Sequence, residues 1–357
     1  MFCIPILIPA YEPDSRLFDL ISELHRRNMG PIYIVNDGSS SSFDSIFSLC
    51  QPMVQDLGGK ILIHPENRGK GQALKTAIAA VSEDFPEILG VVTADSDGQH
   101  DPDSIEKIRK EMEKNPGDLI LGFREFSGEE VPLRSRLGNA ITEKVFQFVT
   151  GRALKDTQTG LRGIPREMFS TLLSSQATGF EFEMEMLVDG IRSFEIVEIP
   201  IETIYDSREH HQSHFHTVKD SWKVYRVLGR GFFLFACGSV LSMALDLFLF
   251  SLFCSFFKSS YPGIYIVLAT ILARVCSSFF NLVFNYKIVF QSSQNFLSSL
   301  GKYYSLALFI MGASAIFVSI ILWIFPSFSE VVVKFFVDLA LFFVSYSIQN
   351  KRVFRKK

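Results

Sequence analysis

Several of the patterns that mark common enzyme classes are missing from this chain. No CxxC pair occurs among its five cysteines, Cys3, Cys50, Cys237, Cys254 and Cys276. A zinc ribbon or disulfide framework is therefore not expected, and a reducing compartment is the simplest setting. There is no GxxxxGK[ST], which argues against P-loop ATP hydrolysis, and no GxGxxG, which argues against a dinucleotide redox cofactor. The formal net charge is only −3, and no nucleic-acid partner is expected. The opening Met1-Phe2-Cys3-Ile4-Pro5 has neither a basic leader nor a long apolar core. It reads as the first strand of a domain rather than as a signal peptide.

The most informative scarcity is charge in the last third. Gly231–Phe257 carries only Asp246, Gly263–Tyr286 only Arg274, Tyr303–Phe325 none, and Phe335–Gln349 only Asp338. Phenylalanine is enriched there: of 36, 14 precede residue 231 and 22 follow it. Each run approaches the ~20 residues that span a bilayer, so transmembrane helices are expected at about 231–257, 263–287, 303–325 and 331–350. The sequence thus divides into a soluble domain, 1–217, a basic amphipathic juxtamembrane stretch, 218–230, containing Trp222 and Tyr225, and a membrane domain, 231–357.

Lysine and arginine set the expected topology. Lys219, Lys223, Arg226 and Arg230 precede the first span. Lys287 and Lys302 lie between the second and third, and Lys351, Arg352, Arg355, Lys356 and Lys357 follow the fourth. The opposite loops hold only Lys258 and Lys334. Both termini and the soluble domain are expected in the cytoplasm, in what reads as a bacterial plasma membrane. Asp246 and Arg274 are costly in lipid and should face the bundle interior, where they can pair or line a polar path. A short repeat joins Tyr286-Lys287-Ile288-Val289-Phe290 to Asn350-Lys351-Arg352-Val353-Phe354. It suggests two parallel hairpins or a shared interfacial ending.

The first 125 residues alternate strand and helix signals. Ile4–Ile8, Ile32–Val35, Lys60–Ile63, Ile88–Thr93 and Leu119–Leu121 read as strands, and Arg16–Arg27, Gln72–Val81 and Ser104–Lys114 as helices. Asp101-Pro102 supplies a cap and first turn for the last of these. Such alternation predicts a mostly parallel sheet covered on both faces, with ligands beyond the carboxyl ends of its strands. Polar clusters fall at four such ends: Ala10-Tyr11-Glu12, Asn36-Asp37-Gly38-Ser39-Ser40, His64 to Gly71, and Asp95 to His100.

Of these, Asp95-Ser96-Asp97-Gly98-Gln99 has two carboxylates one residue apart after an apolar strand. In an extended segment they share a face with Gln99. Hard oxygens in that arrangement suit Mg²⁺ or Mn²⁺ bridging to a diphosphate. Asn67-Arg68-Gly69-Lys70-Gly71 supplies close backbone approach and two cations. Glu181, Glu183 and Glu185 alternate with apolar residues, which fits either a catalytic carboxylate or an amphipathic segment with its acids in solvent or orienting arginines.

Together, Pro9-Ala10-Tyr11-Glu12, Val35-Asn36-Asp37-Gly38-Ser39, Asn67 to Gly71, Asp95 to His100 and Asp156-Thr157-Gln158-Thr159-Gly160-Leu161-Arg162 resemble a family 2 glycosyltransferase. Within that family, residues 1–225 are most similar to the polyprenyl-phosphate sugar synthases of the dolichol-phosphate mannose synthase type. The remainder resembles a GtrA-like four-helix membrane domain, with Asp246, Arg274, Asn281 and Asn285 fitting its pattern. The resemblance implies a GT-A fold, an α/β Rossmann-like domain with a mostly parallel sheet, joined to an all-α four-helix transmembrane domain. It implies inverting transfer of a sugar, glucose from UDP-glucose in the first instance, to undecaprenyl or another polyprenyl phosphate for cell-surface glycan modification. GlcNAc, mannose and galactose are alternatives, as is a lipid-sugar flippase with a regulatory nucleotide-sugar domain. A processive polysaccharide synthase is disfavoured because no QxxRW occurs.

By the same resemblance, Pro9, Tyr11, Glu12, Asp37, Arg68, Lys70, Gly71, Asp95 and Gln158 bind the nucleotide sugar. Asp95, Asp97 and Gln99 surround a Mg²⁺ or Mn²⁺ cofactor. Arg124, Arg134 and Arg136 act at the reacting phosphate, and Ser135, Arg208 and His214 join them around the acceptor. A homo-oligomer is also implied.

Overall fold

In a computed structural model of the chain, residues 3–124, 133–202 and 217–354 are described. They form two compact units. The first is built from β1 (Ile6–Ala10), α1 (Ser15–Arg26), β2 (Ile32–Asn36), α2 (Asp44–Asp56), β3 (Lys60–Ile63), α3 (Lys70–Asp84), β4 (Gly90–Thr93), α4 (Pro102–Lys114), β5 (Leu119–Arg124), α5 (Leu133–Thr150), β6 (Arg162–Pro165), α6 (Phe169–Ser174), α7 (Glu181–Ser193) and β7 (Ile196–Ile201). The seven strands make one sheet in the order β3-β2-β1-β4-β6-β5-β7. β6 alone runs antiparallel, to β4 and β5, so the sheet is mostly parallel, as the strand–helix alternation predicts.

Strand alternation sorts the core into two layers. Ile6, Ile8, Ile32, Ile34, Val92 and Ile120 point to the side covered by α1, α2 and α4. Leu7, Tyr33, Val35, Val91, Leu119 and Leu121 point to the side covered by α3, α6 and α7. A sheet buried on both faces needs this apolar content at every position. α1 starts where the Asp14 side chain accepts from Arg16 N at 2.9 Å, and it buries Leu17, Leu20, Ile21 and Leu24 at helical spacing. α4 begins at the expected cap, with Asp101 accepting from Ser104 N at 3.0 Å.

Two differences from the sequence reading have clear causes. β1 lies two residues further along than the apolar run suggests, because its pairing with β2 runs from Ile6↔Ile32 to Ala10↔Asn36. α2 has no counterpart among the expected helices: Pro52 sits inside it, although Phe47, Cys50 and Val54 form its buried stripe.

The second unit holds most of α8 (Thr217–Phe257) together with α9 (Tyr265–Phe284), α10 (Phe296–Ile324) and α11 (Glu330–Ile348). All four are long and apolar enough to cross a membrane. The juxtamembrane stretch 218–230 is helical and continuous with the first span, since α8 begins at Thr217. Phe233, Leu247, Phe309, Trp323 and Phe335 are among many large apolar side chains left exposed, a surface that hydrocarbon rather than water would cover.

Several polar residues of these helices are paired within the unit. Arg274 lies 3.4 Å from Asp246, and Ser277 donates to Asp246 at 2.7 Å. α9 and α11 both end in a π turn, Asn285–Val289 and Gln349–Val353. Phe290 N bonds Asn285 O, and Phe354 N bonds Gln349 O. The rings of Phe290 and Phe354 stack at 5.2 Å. Asn285 Nδ2 donates to Gln349 Oε1 at 3.1 Å and to Asn281 Oδ1 at 2.8 Å. The repeated segments are therefore equivalent in conformation as well as in sequence.

Two outcomes follow from this packing. Asn285→Leu should destabilise the helical unit by about 0.6–2 kcal/mol, and Asn285→Leu with Gln349→Leu should cost less than the sum of the two single changes, read by unfolding in mixed micelles. Burial pushes the Cys50 thiol up to about 11, so iodoacetamide at pH 8 should leave Cys50 unmodified in the folded protein, read by peptide mass.

Candidate active site

The carboxyl ends of β1, β2, β3 and β4 bring the expected polar clusters to one edge of the sheet. At the end of β1, Glu12 takes a left-handed φ of 48°, and its N–H donates to Ser39 Oγ at 2.8 Å. This joins the first cluster to the second. Pro9 and Tyr11 flank it, half-buried.

Asp37, at the end of β2, is buried and organises the loop between β3 and α3. Its Oδ1 accepts from His64 Nδ1 at 2.6 Å and from Arg68 N at 3.0 Å, and its Oδ2 from Gly69 N at 2.8 Å. Gly69 has φ +93°, and a Cβ there would lie 2.6 Å from Thr178 O. A Cβ on Gly71 would lie 2.5 Å from Phe182 Cβ. Both glycines let the start of α3 press against the start of α7. The Arg68 side chain is exposed.

The two central carboxylates share a turn rather than a strand. β4 ends at Thr93, and Gly98, with φ +73°, permits the bend that follows. Gln99 N donates to Asp97 Oδ1 at 3.0 Å. Burial pushes the Asp97 carboxyl up, and the nearby Asp95 charge pushes it the same way. Burial also opposes charge on Asp95, but Lys70 and His100 outweigh it and hold that carboxyl below the usual range.

Lys70 is the cation of this site. Its ammonium lies 2.6 Å from Asp95 Oδ1 and 3.0 Å from Glu183 Oε2, and all three side chains are largely buried. Burial works against the charge, yet the two carboxylates raise the Lys70 pKa above its ordinary value, so it remains an ammonium. Beneath them Arg162 is fully buried, with burial lowering its pKa. It donates to Glu183 O at 2.6 Å and Thr159 O at 2.9 Å, fastening α7 to the loop before β6. Thr93 Oγ1 donates to Gly160 O at 2.7 Å in that loop. A Cβ on Gly160 would lie 2.3 Å from Asp95 Oδ2, so only glycine leaves Asp95 its place.

The three acids of α7 do separate things, because a helix turns successive alternate residues to different faces. Glu181 Oε1 accepts from Gly179 N at 3.1 Å, Glu183 faces Lys70, and Glu185 Oε2 accepts from Ser175 Oγ at 2.8 Å. The reading that leaves them in solvent is corrected on this point. A further pair lies at the end of β5, where Arg124 Nε donates to the fully buried Asp156 at 2.7 Å. Gln158 N also donates to Asp156, at 2.9 Å, while the Gln158 side chain is exposed. Arg134, Ser135 and Arg136 fall in the first turn of α5. Arg208 and His214 lie outside the described residues.

Glu183, His100, Asp156, Gly160 and Arg162 are site residues to which the spacing alone gave no firm role. The signal for four of them was their place in two quoted motifs. For Glu183 only the helical register reveals it.

The donor set fits a divalent cation. Asp95 and Asp97 supply hard oxygens, and buried His100 has both ring nitrogens without a hydrogen-bond partner among the described residues, Nε2 lying 3.4 Å from Asp95 Oδ2. Glu183 Oε1 is likewise buried and without a hydrogen-bond partner among those residues. Among the described residues no three His, Cys, Asp or Glu side chains form a ready cage. Mg²⁺ commonly takes only one or two carboxylates, with substrate phosphates completing its shell.

Residues 6–173 match glycosyl transferase family 2. The match ends before α7, β7 and the four apolar helices. The chain is 27% identical to uncharacterized protein MJ1222 of Methanocaldococcus jannaschii, over 56% of this chain and 81% of that protein. It is also 27% identical to a UDP-N-acetylglucosamine–dolichyl-phosphate N-acetylglucosaminyltransferase of Methanococcus voltae, over 56% of this chain and 85% of the relative. A solved mannosyltransferase from Pyrobaculum calidifontis, in complex with GDP-Man and Mn²⁺, superposes over 97% of this chain and 86% of its own. Its TM-score is 0.40, with 12% identity.

Gly160→Ala should displace Asp95 and lower the activity of this site by about a hundredfold, the scale of an ångström's misplacement at a reacting centre. An unchanged circular-dichroism spectrum would tie the loss to the site.

Proposed function

We propose that this glycosyltransferase moves a hexose, with glucose from UDP-glucose the first choice, to undecaprenyl or another polyprenyl phosphate, inverting the anomeric centre. The observation that carries the reading is a paired carboxylate at the carboxyl edge of a family 2 sheet in the same chain as four apolar helices. A soluble donor site and a membrane-seated acceptor are the two things such a reaction must combine. The lipid phosphate in the name of the Methanococcus voltae relative supports the same acceptor class.

In this reading Pro9, Tyr11, Glu12 and Asp37 flank the nucleoside, with Arg68, Lys70, Gly71 and Gln158 along the diphosphate and sugar. Asp95, Asp97 and Gln99 would hold Mg²⁺ or Mn²⁺. Bound there, the cation would draw charge from the departing diphosphate. Lys70 adds a fixed positive charge at the same point. Arg124, oriented by Asp156, meets the acceptor phosphate together with Arg134, Ser135, Arg136, Arg208 and His214.

The acceptor is a phosphate monoester with a second pKa of about 6, so its oxygen reaches the anomeric carbon as an anion. The new C–O bond forms as the bond to the diphosphate breaks. No proton has to be removed, and positioning carries much of the rate. The helical unit acts as a GtrA-like anchor with both termini and the catalytic domain in the cytoplasm, and a homo-oligomer is compatible with that arrangement.

The test is incubation of the purified full chain with undecaprenyl phosphate, Mn²⁺ and a panel of nucleotide sugars, with lipid products read by mass. A gain of one hexose, abolished by EDTA and by Asp97→Asn in a folded protein, is expected. A gain of one N-acetylhexosamine would change the sugar but keep the reaction. Donor binding without product from any donor would overturn the catalytic reading in favour of a transport role.

A further inference from the structure

The ammonium of Lys70 lies where positive charge is most needed in this site. Asp95, Asp97 and Glu183 bring three carboxylates to one small, largely buried region. Lys70 bridges two of them, at 2.6 and 3.0 Å, and the start of α3 is pinned in place by the close approach of Gly69 and Gly71 to α7. Glu183 is itself fixed, because Arg162 holds its backbone carbonyl at 2.6 Å. Arg162 has its own carbonyl partners at Thr157 and Thr159, so it does not neutralise Asp95 by contact. Among the described residues the ring nitrogens of His100 have no hydrogen-bond partner, and Nε2 is 3.4 Å from Asp95.

We infer that Lys70, held by Glu183, is a resident counter-ion of Asp95 that makes divalent-cation binding conditional on the nucleotide diphosphate. This rests on the reading of Asp95 and Asp97 as cation ligands given above. With no diphosphate present, Lys70 occupies Asp95 Oδ1 and weakens the field that would attract a free cation. A diphosphate offers the ammonium a second anion, so Lys70 can release Asp95 without losing its compensation. Cation and diphosphate thereby favour each other's binding, a coupling that must be reciprocal. Glu183 is a positioning residue: it keeps the Lys70 side chain at the site in both arrangements.

The test uses the full chain in detergent and electron paramagnetic resonance of free Mn²⁺, with and without UDP. Wild type should bind Mn²⁺ weakly alone and at least about tenfold more tightly with UDP, a coupling of about 1.4 kcal/mol. Lys70→Met should bind Mn²⁺ alone at least about tenfold more tightly than wild type and lose most of the UDP effect, whereas Lys70→Arg should stay weak. If Lys70→Met does not fold, Lys70→Met with Glu183→Gln removes one charge of each sign and should still tighten nucleotide-free binding. Nucleotide-free affinity within twofold of wild type in the folded Lys70→Met or double variant would overturn the inference alone. If wild type binds Mn²⁺ neither alone nor with UDP, both the inference and the cation-ligand reading beneath it fail.

Discussion

An ammonium withdrawn from water must be compensated by anions placed within a few ångströms, and that requirement organises the sheet edge around Lys70. Asp95 follows β4, Glu183 lies in the first turn of α7, and Lys70 opens α3. Two consecutive elements and a third about ninety residues further along the chain are thereby drawn to one point. Removing either carboxylate would leave charge poorly paired in a low-dielectric place, where unpaired charge costs most. The glycines around it serve the same end. Gly69 and Gly71 allow α3 to reach α7, and Gly160 leaves the volume that the Asp95 carboxylate fills.

Much of this was legible in the sequence because it depends on local chemistry. The doubly covered sheet follows from apolar strands alternating with amphipathic helices, and Asp101 caps α4 as its Asp-Pro pair suggests. Asp95, Asp97 and Lys70 stand out because charged residues directly after an apolar strand or within a glycine-rich loop have few structural reasons to be there. What could not be read depends on tertiary pairing. The reach of β1 to Ala10 is set by its register with β2, and α2 is masked by Pro52. The partner of Lys70 on α7 appears only when Glu181, Glu183 and Glu185 are placed on a helix rather than along an alternating segment. The antiparallel β6 carries no local sign of its direction, and its place between β4 and β5 brings Gly160 to Asp95.

The helical unit answers the same demand in a different solvent. Asp246, Arg274, Asn285 and Gln349 sit in largely apolar stretches of their helices, and each finds a polar partner on another helix. In hydrocarbon there is no water to fall back on, so these partners help set which helices pack together. The aromatic cluster of Phe232, Phe235, Phe342 and Tyr346 packs at one interface of the unit, where ring contacts fix a geometry that uniform leucine packing would leave loose.

The paired π turns carry a further consequence, for how the helices choose neighbours. Counting back the same number of residues from Asn285 and from Gln349 reaches Arg274 on α9 and Asp338 on α11. Equivalent positions in the two hairpins therefore carry opposite charge. Asp246 of α8 meets Arg274 on α9. Asp338 is compensated differently, by Lys334 on its own helix at 2.8 Å and by the Ser314 hydroxyl on α10. Two hairpins that share their endings thus hold their charges in different ways, one by an ion pair that ties two helices together and the other by an ion pair within a single helix.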